Sequence, residues 1–181
     1  MKPFILLLPL LLASQAPSFA QVQHPMVRSG IDDFYEARFE QATTILLEAI
    51  EEKALNNVDL FHAYLYLAFS MARNNAPEEA VTMAFEGCIG IDPSYELDTN
   101  TIPPDLINRF EKVRETMVGG LYVVSNPREA SVLGVHTGTN LTIMGKTPVL
   151  FERELAGEYN LLLSKDSYQD YYIRATVVPS S

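Results

Sequence analysis

Residues 111–127 read Glu-Lys-Val-Arg-Glu-Thr-Met-Val-Gly-Gly-Leu-Tyr-Val-Val-Ser-Asn-Pro, and the hydrophobic period changes inside them. Before them, Pro103-Pro104 opens a helix whose apolar face is Leu106, Ile107, Phe110 and Val113, the spacing of one helix side. The helix is expected to run to about Met117. Gly119-Gly120 then supplies a helix stop and a domain boundary. After the glycines, residues 121–125 are apolar and β-prone, and Asn126-Pro127 carries turn chemistry. The chain therefore divides into a helical half and a strand half, an α+β class.

Working back from that boundary, Phe34, Ala42, Ile45, Leu46, Ala49 and Ile50 keep helical spacing. So do Leu60, Tyr64, Leu67, Ala68 and Met71. Pro77-Glu78-Glu79 starts a further helix, because proline suits the first turn and acids suit the positive helix end. Ile91-Asp92-Pro93 closes it. Residues 39–50 and 77–88 match at a separation of 38, with small alanines at Ala42 and Ala80. A repeat of that length predicts stacked helical hairpins. Residues 63–93 resemble a tetratricopeptide repeat through Tyr64, Leu67, Ala68, Ala80 and Asp92-Pro93, with a slip of one residue between Ala80 and Pro93. Residues 31–54 resemble a preceding repeat with a shortened first helix. The other reading is an ordinary helical bundle. The resemblance implies an array that presents a concave surface to a protein partner, with the helix from Pro104 capping its last repeat.

Working forward, short strands are expected at 131–135, 141–144, 149–155, 159–163 and 171–178. They are punctuated by Gly138-Thr139-Asn140, Gly145-Lys146-Thr147-Pro148 and Ala156-Gly157. Five or six short strands in so few residues predict a small antiparallel β-sandwich. This half resembles a PEGA domain, a small sandwich of bacterial surface and envelope proteins. The resemblance is carried by Leu121, Val123, Ser125, Pro127-Arg128-Glu129-Ala130, Val132, Gly145-Lys146-Thr147-Pro148, Leu155-Ala156-Gly157-Glu158-Tyr159 and Ser167-Tyr168. Two features depart from that family: Arg128 and Glu129 replace its usual Glu-Gly, and residues 134–144 exceed its usual short hairpin.

At the amino end, Lys2 precedes an apolar run over residues 4–13, and Ser18-Phe19-Ala20 places small residues before Gln21. This predicts a cleavable export signal over 1–20. Its apolar run is shorter than the roughly 20 residues a bilayer needs. Residues 21–29 then form an N-terminal tail, 30–118 the helical domain and 119–181 the sandwich. Cys88, the single cysteine, lies far from the cut, so no lipoprotein anchor and no internal disulfide are expected, and burial suits this thiol. The expected location is the periplasm or cell surface, as a soluble protein with no transmembrane segment.

Residues 21–181 hold 23 acids against 12 bases, once Lys2 leaves with the signal, a net charge of −11. Residues 30–118 hold 17 acids and 6 bases, whereas 119–181 hold 6 and 5. So acidic a surface repels phosphate, which excludes nucleic acid as the expected partner.

Motifs of chemistry fail on inspection. Gly145-Lys146-Thr147 resembles the end of a phosphate loop, but Asn140 stands where its glycine is needed and Pro148 follows. Asp98-Thr99-Asn100 resembles a calcium loop, but Pro103 occupies the glycine position. Asp32-Asp33 reads as the capping acids of a helix start. His24, His62 and His136 lack metal-ligand spacing, and no Gly-x-Ser-x-Gly elbow occurs. Asn140-Leu141-Thr142 matches a glycosylation sequon, read as chance in a chain of bacterial resemblance. No catalytic, cofactor or metal residues are expected.

The candidate binding surface is Tyr122, Tyr168, Tyr171 and Tyr172, with sandwich core as the other reading. Neighbours on a strand alternate, so not all of residues 168–172 can face inward. The expected function is a non-catalytic, exported scaffold that binds envelope proteins. The alternative is a carbohydrate- or peptidoglycan-binding accessory protein acting through the sandwich, with cell-wall polysaccharide as its partner.

Overall fold

A computed structural model describes residues 22–180; the predicted signal and its cut before Gln21 lie outside the described residues. Five helices come first: α1 Pro25–Tyr35, α2 Phe39–Glu51, α3 Asn57–Arg73, α4 Glu78–Ile89 and α5 Pro104–Glu115. Six antiparallel strands follow: β1 Val118–Val123, β2 Ser131–His136, β3 Thr142–Lys146, β4 Val149–Leu155, β5 Gly157–Ser164 and β6 Tyr171–Val177.

The expected tail is mostly helix. Pro25 opens α1, and Val27, Ile31 and Phe34 share one buried face at helical spacing. Val22 is buried ahead of it. Asp59, at the start of α3, accepts the backbone N–H groups of Gln23 (2.8 Å) and His24 (3.3 Å), so the chain is tied down before α1 begins. The start at Pro25 also corrects the reading of Asp32-Asp33. Both lie near the C-terminal end of α1, and Asp33 accepts a bond from Arg38 Nε at 2.8 Å.

Asn56 caps α3 by accepting the Asp59 N–H at 2.9 Å. The predicted apolar face of α3 is too narrow. Phe61, Leu65, Tyr66 and Phe69 are buried as well as Leu67 and Ala68, because α3 packs on α1, α2 and α4 at once. A chain of aromatic contacts runs through this core. It passes from Phe34 to Tyr66 (5.4 Å between centroids), Phe69 (5.5 Å), Phe85 (5.9 Å) and Phe110 of α5 (5.8 Å). Ala42 is fully buried, while Ala80, its counterpart in the repeat, is only half-buried.

Gly119-Gly120 does not end the helix; both residues lie within β1. The helix stops at Glu115, and Val118 already belongs to the helical core. A Cβ on Gly119 would fall 1.8 Å from the carbonyl oxygen of Val178, so glycine is needed for close approach.

β1 pairs with β4, and the other four strands form a second sheet in the order β3-β2-β5-β6. Val123, Val132, Ile143, Tyr159, Leu161 and Val177 fill the space between the sheets. The halves touch through an Ala156 N–H bond to Met117 O (2.7 Å) and an Arg153–Glu96 ion pair (2.8 Å).

Candidate binding cleft

The two sheets meet differently along their two seams. On one side β3 runs into β4 through Thr147-Pro148 alone. Thr147 is buried there: its N–H donates to Ala130 O (3.0 Å), its carbonyl accepts from Glu129 N (2.7 Å), and its Oγ1 accepts from Ala130 N (3.1 Å). On the other side, β1 and β6 are bridged by the Ser180 N–H bond to Val118 O at 3.0 Å. The β1–β4 register shifts between Gly119 and Leu121, the irregularity of a β-bulge. Beyond it, β1 and β6 flank an open cleft of about 480 Å³.

Leu161 and Leu163 of β5 with Ala130 line its floor; Leu121 and Val123 come from β1, and Tyr171, Ile173 and Ala175 from β6. Ile173 faces Leu161 and Tyr171 faces Leu163 in the β5–β6 register, which puts them on the inner side of the sheet. Lys165 is the one charged residue in the lining. Its ammonium donates to Arg128 O.

The candidate tyrosines are surface residues. Tyr122 is 64% exposed, Tyr168 60%, Tyr171 62% and Tyr172 73%, so the sandwich-core reading fails for all four. The core lies toward the closed end of the seam, and these rings lie beyond it. Tyr122, Tyr168 and Tyr171 line the cleft. Tyr172 does not join them. It is registered with Leu162, and Leu162 with Leu133, which is registered with Met144. These four form an apolar row on the opposite face of the sheet. The aliphatic floor of the cleft was missed as a site. Alternation marks Leu161, Leu163 and Ile173 as inward-facing, and it does not reveal whether another strand covers them.

The three histidines lie on different elements. His136 is buried in the strand half. Its Nδ1 accepts from Gly138 N (3.1 Å), which leaves Nε2–H to donate to Ala156 O (3.2 Å). Gly157, at φ +140°, lies against that ring, where a Cβ would come within 2.4 Å of Nε2. His24 lies at the start of α1, and Glu52 is 3.9 Å away.

His62 forms part of a second cavity, about 440 Å³, between α3, residues 91–95 and the strand half; Asp92, Tyr95, Arg153 and Glu154 also line it. Burial lowers the His62 pKa, opposed by its bond to Val58 O and by Asp59 nearby. Burial raises that of Glu154.

Cys88 is fully buried, and burial pushes its thiol well above the usual range. Asp98 accepts the N–H of Asn100 (2.9 Å), which holds its carboxyl below the usual range; Thr101 and the Asn100 side chain add to this. That is a local turn. Among the described residues, no group of three His, Cys, Asp or Glu could hold a metal ion, and no helix is long and apolar enough to cross a membrane.

Comparison of the chain with family models, curated proteins and solved structures found no match.

Proposed function

We propose that this is a non-catalytic interaction protein of a bacterial envelope, and that it holds a partner protein in the cleft between β1 and β6. The observation that carries the reading is the cleft itself. It is an apolar cleft in which Ile173 is exposed and Leu163 half-buried, with Leu161 buried at its base, rimmed by Tyr122, Tyr168 and Tyr171. Tyrosines on a rigid sheet offer large contact area at low entropic cost, and exposed apolar surface of this kind marks binding sites. The helical half serves as an acidic platform. Its successive helices, closed by α5, support the tetratricopeptide-like reading; the order and turns of the six strands support the PEGA-like one. The amino-terminal signal pattern supports export to the periplasm or cell surface, without a lipid anchor.

Affinity capture from an envelope extract tests the reading. The wild-type chain is expected to enrich a partner that Ile173→Lys and Tyr171→Ser fail to retain. Equal capture by all three proteins, or no enrichment by any, refutes it.

The three tyrosines also favour a second reading, a carbohydrate or peptidoglycan binder. Against it, sugar hydroxyls would be desolvated on Leu161, Leu163 and Ile173 without partners. Sedimentation with purified cell-wall sacculi decides: retention lost on Tyr171→Ser supports it, and no retention removes it.

A further inference from the structure

The cleft is bounded by two strand edges that have no partner strand. β6 pairs with β5 and β1 with β4; among the described residues the edges that face each other are joined by the Ser180 N–H bond to Val118 O, with Gly119 packed against Val178. Such an edge presents backbone N–H and C=O groups at the spacing of an extended chain, and another extended chain is what matches it. Soluble proteins usually guard such edges with charge or proline. Here Tyr171, Tyr172 and Ile173 are all exposed, and Arg174 is the one charge on β6. Charge complementarity narrows the occupant further. Lys165 is the single charge in the lining and its ammonium already donates to Arg128 O, so uncharged side chains match the rest of the lining.

We propose that the occupant is an extended strand of a partner protein, which pairs along the free edge of β6 as a fifth strand of its sheet. Alternate apolar side chains of that strand fill the cleft over Leu161, Leu163 and Ile173. This rests on the cleft-binding reading above and specifies its ligand. The register shift of β1 against β4, between Gly119 and Leu121, lies at the start of this open seam.

Selection of a phage-displayed library of random twelve-residue peptides on the purified chain tests this. Enriched peptides are expected to carry apolar residues at every second position. The synthesised winner should bind at least tenfold more weakly to Ile173→Lys and to Tyr171→Ser, with the circular dichroism of both variants unchanged. Amide hydrogen exchange across residues 171–175 should slow in the complex. Peptides with helical spacing, an empty selection, or unchanged exchange in β6 would overturn strand pairing and leave cleft binding standing. Capture of the envelope partner that ignores Ile173→Lys would overturn the cleft reading itself. A dimer of the chain that Ile173→Lys dissociates, seen by analytical ultracentrifugation, would identify a second copy as the occupant and overturn the proposal.

Discussion

The helical half hides most of its aromatic residues and the strand half displays most of its own. Phe34, Tyr66, Phe69, Phe85 and Phe110 link four helices through one continuous core, whereas Tyr159 is the single tyrosine buried between the sheets. One residue class thus does opposite work on either side of Val118. A closed core stabilises by removing apolar surface from water. A core left open on one seam keeps apolar surface available, and that is where a partner gains most by docking.

Truncations test this contrast most directly. Phe85→Ala is expected to cost about 3–5 kcal/mol in urea unfolding, as deletion of a buried ring does. Tyr171→Ala should stay within about 0.5 kcal/mol, as for other surface changes. Similar costs for the two would erase the distinction between the halves.

The adjacent glycines give the next largest effect. Gly119→Ala must displace the Val178 backbone and should cost about 1–3 kcal/mol, the usual range for overpacking. At Gly120 the nearest atom, Phe151 O, lies 3.7 Å from an added Cβ, so Gly120→Ala should change thermal stability little. Equal costs would mean that close approach to Val178 is not what glycine serves at 119.

A pH scan sharpens the comparison at the joint between the halves. The folded chain binds a proton at His62 less readily than the unfolded chain does, because burial lowers its pKa. That contribution is full above the ordinary histidine value of about 6.5, is lost as pH falls below it, and stops changing below the folded value. Glu154 acts in the opposite sense: its raised pKa favours folding at low pH, and this is lost as pH rises through the folded value. The midpoint of unfolding measured between pH 7.5 and 5.5 should therefore fall less for His62→Phe than for the wild type. An unchanged slope would count against burial of a neutral ring.

The smallest effect is expected at Tyr159. Burial, with Glu154 adding and the Leu155 backbone opposing, pushes its hydroxyl up to about 12, and the buried oxygen makes no hydrogen bond of good geometry among the described residues. Tyr159→Phe should be neutral or slightly stabilising in thermal unfolding. A clear loss would point to a bound water at the hydroxyl.

Much of the fold was legible in hydrophobic period. The change from helical spacing at Leu106, Phe110 and Val113 to alternation at Ile143, Phe151 and Leu161 divides the chain into helices and strands. α1 was obscured because Val27 sits close behind Pro25, in a stretch too short to show a period by itself. The glycine pair misled because close approach of two strands and a helix stop both ask for glycine, and only the position of Val178 distinguishes them. The cleft was half legible. Four tyrosines were named from sequence, and register divides them between two faces that spacing over 168–172 could not resolve. Its floor was invisible, since local pattern records which way a side chain points and not whether the opposite strand diverges.

Val118 has one further consequence, a mechanical one. It opens β1 and is at the same time buried in the helical core, while the Met117 carbonyl is bonded to Ala156. The chain passes from α5 to β1 without a slack linker. Tension applied to β1 by anything lodged beside it would reach the base of α5 through the two residues between them.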